Sequence, residues 1–570
     1  MLRAIFLLLN CYLEGGETKG GMVGMIGDGL WRRCGWKRPN LMLMKNRKAI
    51  AMARVNRARG LWLVGLSAIC FAMLCSPQGV FAQNQKGDAS EKKGETIAEK
   101  DFADLSVTTH SAKIGGNAIE YTATAGTLTM ADENGHLKAK MFFVAYDRTG
   151  VDDLSARPIT YCFNGGPGSS SVWLHLGAFG PKRVLMGDAD HLLAPPWKLV
   201  DNNESLLDLT DLVFIDPVTT GYSRAVEGED DSQFHGLNED IRSVAEFIRL
   251  YTTRFGRWGS PKFLSGESYG TTRAAGLSGY LQDRDGMYLN GIVLVSSILN
   301  FQTTSFDTGN DLGYALYLPT YAATNWYHTT DKSVKRESVE DFAQAARAFA
   351  EGEYATALMR GDQLSAEERA SIVRKVSYYT GLSEKYVDQA NLRIKIWQFT
   401  KELLRDREKR TVGRLDSRFK GIDATARGES SDYDPSMAAI NGPYTATLNQ
   451  YVRAELGFES DLPYEILTGR VHPWNYRPYT NQYVNVAETL RSAMTKNRDL
   501  RVYVANGYYD LATPFFATQY TFNHLGLDSS LRDHVSMGFY EAGHMMYIRD
   551  DSRRRLKKEL TGFYKKAVGK

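Results

Sequence analysis

The sequence predicts an α/β fold: a mostly parallel central sheet flanked by helices, with a mainly helical cap region inserted into it. Three observations carry this expectation. Short apolar runs at 159–163, 212–215, 263–264 and 292–295 are of the kind buried on both faces of a parallel sheet. Amphipathic segments separate them, and in 238–251 Ile241, Val244, Phe247 and Ile248 form one apolar stripe at helical spacing. Strands alternating with helices require crossover connections and therefore parallel pairing. Third, Gly266-Glu267-Ser268-Tyr269-Gly270 follows an apolar run and precedes small, helix-compatible residues. That strand–turn–helix setting is the one in which G-x-S-x-G has a chemical meaning.

In chain order, residues 1–82 read as a leader. They hold 12 Lys and Arg but only 3 Asp and Glu, so the remainder is near −6 although the whole chain carries +3. The basic excess belongs to the leader and argues against a nucleic-acid partner. Arg54, Arg57 and Arg59 precede an apolar run from Leu61 to Leu74; Ser76-Pro77-Gln78-Gly79 breaks it, and Val80-Phe81-Ala82 offers small residues for cleavage. This is the pattern of a secretory signal removed near Ala82, and its apolar run of about 14 residues is short for a bilayer span. The first fifty residues fit no targeting pattern, and translation is expected to begin near Met52.

Cys11, Cys34, Cys70 and Cys75 all lie in the leader, leaving Cys162 alone in the remaining 488 residues. Inside an apolar run it is expected to be a buried strand residue in a disulfide-free, exported enzyme. Residues 83–105 are expected to be a disordered tether, on the polar, Lys/Glu-rich composition of its first part. The sheet-bearing core is then expected at 106–300 and 495–570, interrupted by the helical cap at 301–494. The core opens with alternating residues from 106 to 146 around an Asn134-Gly135 turn, an antiparallel entry. In the cap, Ser365 and Glu368 form a capping box and 394–404 is amphipathic, whereas 421–435 is loop-like. Strands resume at 501–505 and 535–540, and a basic helix at 553–566 closes the chain. No transmembrane span follows the leader, and no metal-ligand spacing occurs.

The chemistry is read from strand ends. An α/β-hydrolase presents Ser, then Asp or Glu, then His, each on a loop after a strand. Ser268 follows the 263–264 run, Asp510 follows strand 501–505, and His544 follows strand 535–540. A serine hydroxyl is a poor nucleophile at neutral pH. His544 would take its proton, and Asp510 would orient the imidazole and stabilise its charged form. His534, the nearest rival base, precedes its strand. The glycine-rich loop Asn164-Gly165-Gly166-Pro167-Gly168 leaves backbone N–H groups uncovered, so Gly166 N–H with Tyr269 N–H is the expected oxyanion hole. A phosphate-binding reading of that loop fails, because the Gly-Lys-Ser/Thr ending is missing.

The chain resembles an exported, bacterial-type member of the serine carboxypeptidase family of α/β-hydrolases. The matching pieces are Asn164-Gly165-Gly166-Pro167-Gly168-Ser169-Ser170-Ser171, Phe179-Gly180-Pro181, Asp216-Pro217-Val218-Thr219-Thr220-Gly221-Tyr222-Ser223, Gly266-Glu267-Ser268-Tyr269-Gly270, Asn506-Gly507-Tyr508-Tyr509-Asp510 and Gly543-His544-Met545. The resemblance implies that Asn164, with Gly165 beside it, and Glu267 bind the substrate's terminal carboxylate. Glu267 can hydrogen-bond to a carboxylate only if one of the two is protonated, which favours acid pH. Two positions depart from the family: Ser169 stands where a Cys is usual, and Ala178 where a second Glu is usual. The missing carboxyl leaves open whether Glu267 is held in place.

The expectation is an exported serine carboxypeptidase that releases C-terminal residues from peptides through an acyl-enzyme, with no metal and no cofactor. Two alternatives keep the fold: an aminopeptidase, acyltransferase or esterase using the same three residues, and a catalytically silent binding protein.

Overall fold

The computed structural model describes residues 96–189, 191–332 and 334–569. The expected leader with its expected signal, and the first part of the expected tether, lie outside them. Within the expected tether, residues Ile97–Ala103 form a helix, α1, rather than disordered chain. Thr96 and Glu99 cap it reciprocally, and Asp101 is buried, accepting from Thr129 N–H at 2.8 Å and pairing with Arg254 at 2.5 Å. Composition overlooks this segment because its anchors are tertiary.

The antiparallel entry comprises β1 (Ser106–Ile114), β2 (Asn117–Ala131) and β3 (Leu137–Arg148). Six further strands follow: β4 (Ile159–Phe163), β5 (Asp211–Ile215), β6 (Lys262–Glu267), β7 (Gly291–Val295), β8 (Arg501–Gly507) and β9 (Val535–Tyr540). The sheet runs in the order β1-β2-β3-β5-β4-β6-β7-β8-β9, with the short strand Arg224–Ala225 added against β3. Pairing is antiparallel as far as β5 and parallel from β5 to β9. Every residue of β4, β5, β6 and β7 is buried, which is why each of these strands contains a short apolar run.

The sheet's two faces form separate cores. Tyr161, Leu264, Ile292 and Val502 pack against α2 (Leu237–Arg254) and α3 (Tyr269–Asp285). Alternate residues Cys162, Phe263, Val293 and Tyr503 face the other way. A third apolar cluster joins α4 (Leu312–His328) and α5 (Ala366–Thr380) to Tyr508, Tyr509 and Leu511, the loop that follows β8. The capping box of Ser365 and Glu368 opens α5.

Not all of 301–494 stands apart from the sheet. Helix α6 (Pro435–Ala454) lays Tyr444, Leu448 and Tyr451 on one sheet core, together with Leu556 and Leu560 of the closing helix. Helix α7 (Ala487–Lys496) buries Leu490, Ala493 and Met494 in the other core, so the sheet-bearing part resumes before residue 495. Apolar periodicity marks a helix's buried stripe but not which layer receives it. No described helix is long and apolar enough to cross a membrane.

One buried side chain ties the site's supports together. Arg273 on α3 donates from Nε to Asp240 of α2 at 2.8 Å and from Nη1 to the Asn164 carbonyl at 2.5 Å. Its guanidinium lies 5.4 Å from the Phe163 ring and 5.5 Å from the Tyr269 ring. Burial pushes the Asp240 carboxyl up, and Arg273 opposes that shift. Removing one partner of a buried pair leaves an uncompensated charge, so Arg273→Met should cost about 3–5 kcal/mol in denaturant unfolding. Adding Asp240→Asn to that variant should recover part of the loss; additive losses would show that the two groups do not act as a pair.

Candidate active site

The site forms where β6 turns into α3. Ser268 occupies the turn at φ 60° and ψ −130°, a conformation rare for any residue with a Cβ, and its N–H donates to Val295 O at 3.0 Å. The turn closes only without side chains at its base: a Cβ on Gly266 would lie 2.1 Å from Gly270 O. Helix α3 starts immediately after, so its first N–H groups have no carbonyl one turn earlier to bond.

The loop after β4 crosses that helix end. A Cβ on Gly165 would lie 2.4 Å from Tyr269 N, so the glycine lets the two backbones touch. Gly166 follows at φ 101°. Tyr269 offers this space its backbone, since its ring packs 5.6 Å from Trp474. Asn164, Gly165, Gly166, Glu267, Ser268 and His544 all line one cavity of about 350 Å³.

Asp510 and His544 come from the loops after the neighbouring strands β8 and β9. His544 Nδ1 and Asp510 Oδ2 are 2.7 Å apart. Three more bonds hold the carboxylate: Oδ1 accepts Ala512 N–H at 2.8 Å and Thr513 N–H at 3.0 Å, and Oδ2 accepts the Thr513 hydroxyl at 2.7 Å. The His544 backbone is pinned as well, donating to Leu415 O at 2.7 Å and accepting from Ser296 Oγ at 2.7 Å. Burial disfavours the charged imidazole, but the Asp510 carboxylate outweighs it and the His544 pKa is raised. Among the described residues no hydrogen bond joins Ser268 to His544; such contacts are often long before substrate binds.

Glu267, the residue before Ser268, is 2 % exposed. Burial pushes its carboxyl up to about 7, against the opposing pull of His544 and two donors. Those donors are Asn164 Nδ2 to Oε1 at 3.0 Å and the Tyr547 hydroxyl to Oε2 at 2.6 Å. Asn164 is fixed in turn, its Oδ1 accepting Leu174 N–H at 3.0 Å.

Comparison with known proteins follows from this geometry. The family model for serine carboxypeptidases matches residues 117–550, well over half of the chain. The chain belongs to the serine carboxypeptidase family. It is therefore a serine-type carboxypeptidase, a hydrolase acting on peptides. Among solved structures, a prohormone-processing carboxypeptidase from Saccharomyces cerevisiae is similar in fold, at 17% identity and a TM-score of 0.50 over 78% of this chain and 91% of that one. A proline iminopeptidase from Mycobacterium smegmatis matches at 10% identity and a TM-score of 0.33 over 78% of this chain and 98% of that one. No curated protein matches the sequence significantly.

The structure brings Asn164, Glu267, Ser268 and His544 into one cavity, sets Asp510 behind His544, and places Gly165 and Gly166 against the start of α3. His534, by contrast, lies before β9 and lines none of it. Tyr547 was missed by sequence reasoning. Its ring packs on the segment that carries Ala178: a Cβ on Gly177 would lie 2.5 Å from it. Glu267 is thus held despite Ala178, and the signal available in sequence was only a Tyr three residues after His544.

Tyr547→Phe removes a donor to the charged form of Glu267, so that carboxyl should titrate above its present value of about 7. A folded-state pKa raised above the unfolded one costs stability as pH rises through the window between them. The variant should therefore keep losing stability above pH 7, where this group's contribution in the wild type has levelled. Denaturant unfolding from about pH 5 to 9 reads this; parallel curves for the two proteins would refute it.

Proposed function

We propose that this serine carboxypeptidase is an exported enzyme that releases C-terminal residues through an acyl-enzyme. Ser268 is its nucleophile, His544 its general base and acid, and Asp510 the group that orients His544. The observation that carries the reading is a buried, protonatable Glu267, held by Tyr547 and Asn164, opening on the same cavity as Ser268 and His544.

In this mechanism Asn164 and Glu267 receive the terminal carboxylate of the peptide. Below about pH 7 Glu267 carries a proton, and it shares that proton with the carboxylate; Asn164 Nδ2 has a second N–H to offer. His544 takes the Ser268 proton as Oγ attacks the scissile carbonyl. Gly166 N–H and Tyr269 N–H stabilise the oxyanion, and α3's positive end adds to their effect. His544 then protonates the departing amine, and a water activated by the same imidazole hydrolyses the ester. The part of 301–494 that carries Arg414, Met437, Ile440 and Leu467 acts as the cap that bounds the substrate. The pattern of Arg54–Arg59, the apolar run and Ala82 supports export, with the processed chain beginning near Gln83.

Ser268→Ala and His544→Ala should each lower kcat by several orders of magnitude, and the double variant by little more, because these residues act as one unit. Unchanged turnover in Ser268→Ala would remove the nucleophile assignment; His534→Ala is the matched control. The carboxylate arm has its own readout in pH. Free-acid peptides need protonated Glu267, so their kcat/KM should fall as pH rises above about 7. Peptide amides should be poorer substrates below that pH and should lose less above it. Glu267→Gln should flatten the free-acid profile, since an amide donates without titrating. Equal cleavage of acids and amides by both proteins would sink the carboxypeptidase mechanism.

A further inference from the structure

One wall of the cavity carries a cation that neither the triad nor the carboxylate arm uses. Arg414 lines the cavity with Leu415, Met437 and Ile440. Its backbone is clamped beside the triad. The Arg414 carbonyl accepts Leu511 N–H at 3.0 Å, one residue beyond Asp510, and the next carbonyl, of Leu415, accepts His544 N–H at 2.7 Å. Asp434 Oδ1 accepts the Arg414 N–H at 3.1 Å. The position of this residue therefore follows from the same loops that carry Asp510 and His544.

Its guanidinium is treated differently. Among the described residues, neither Asp434 nor any other carboxylate forms an ion pair with it, and no hydrogen bond occupies its five N–H donors. What it has is an aromatic rest: its Cζ lies 5.9 Å from the centroid of the Trp397 ring. The charge reaches the reaction centre, because Arg414 opposes the upward shift of the His544 pKa. The cavity's other ionisable side chains are Glu267, His544 and His472. With Glu267 protonated below about pH 7, no side chain there carries a negative charge, and Arg414 leaves the cavity positive.

A guanidinium is a planar fork matched to a carboxylate, and an aromatic face holds it flat without consuming its donors. Among the described residues the fully buried arginines are paired, as Arg273 is with Asp240 and Arg418 with Asp416, whereas Arg414 is half-buried and faces the cavity. A half-buried arginine left without a protein partner in a substrate cavity keeps its donors free for a group that enters the cavity. Resting on the carboxypeptidase reading above, we propose that Arg414 is a specificity-determining residue that selects peptides with an acidic side chain, Asp or Glu, on a residue flanking the scissile bond.

The test uses N-blocked dipeptides in which the penultimate or the terminal residue is Glu, Gln or Lys, at about pH 6, where a glutamate side chain is ionised. The quantity read is the Glu:Gln ratio of kcat/KM, which is insensitive to any general loss of activity. The wild type should favour Glu roughly 10- to 100-fold at one of the two positions, the range expected for a hydrogen bond to a charged group. That ratio should collapse toward one in Arg414→Gln, survive in part in Arg414→Lys, and turn toward the Lys peptides in Arg414→Glu. A wild-type ratio near one at both positions, or a ratio unchanged by Arg414→Gln, overturns the proposal. Should Arg414→Gln fold poorly, the wild-type ratio and the comparison of Arg414→Lys with Arg414→Glu still decide it. The same ratio on nitrophenyl esters of N-blocked Glu and Gln reports the acyl side without a peptide C-terminus. Loss of discrimination between peptide acids and amides refutes the carboxypeptidase mechanism, and loss of the Glu:Gln ratio refutes the role of Arg414. The two failures are thus distinguishable.

Discussion

The site depends on a close approach of two backbones, the loop after β4 and the first turn of α3. The approach leaves no room for side chains. A Cβ on Gly165 would meet Tyr269 N at 2.4 Å, and one on Gly270 would meet Phe163 O at 2.8 Å. Two N–H groups from separate segments can converge on one developing charge only if nothing lies between them. Arg273 secures the contact from beneath by bonding both Asp240 and the Asn164 carbonyl. The strained Ser268 backbone is affordable because β6, β7 and α3 over-determine it.

Two buried carboxyl groups stand close to His544, and their surroundings give them different tasks. Asp510 is enclosed by four donors, His544 among them, so it has a single fixed orientation. Glu267 has two donors where Asp510 has four, so burial dominates and its proton is retained to about pH 7. The Tyr547 hydroxyl holds Glu267 although residue 178 is an Ala. A phenol orients Glu267 as a second carboxyl would, without placing another titrating group beside it.

The sheet and the inserted helices divide the labour. Strand ends carry Ser268, Asp510 and His544, whereas Arg414, Met437, Ile440 and Leu467 of the cavity wall come from the inserted segment. That segment is anchored to the machinery it covers: Tyr508, Tyr509 and Leu511 belong to the cap's own apolar cluster, and Thr468 N–H bonds Gly168 O at 2.9 Å. A wall built this way can change its chemistry while the candidate catalytic groups stay on the sheet.

The sequence by itself determined the fold class and the order of the three candidate catalytic residues. Both are short-range information: apolar runs of strand length, an amphipathic stripe in 238–251, and glycines at fixed offsets around Ser268. Asn164 and Glu267 were legible only through resemblance, since a lone Asn or Glu in a turn has ordinary structural explanations. Tertiary structure decided the rest. Tyr547 meets Glu267 across 280 positions of chain, and Asp101 orders α1 through Thr129 and Arg254. Helix α7 shows a periodic stripe in sequence, but only packing assigns it to the sheet. Arg414 reads in sequence as one of many arginines. Its significance lies in the partners it lacks among the described residues, and which groups a side chain does not meet is settled only by tertiary structure.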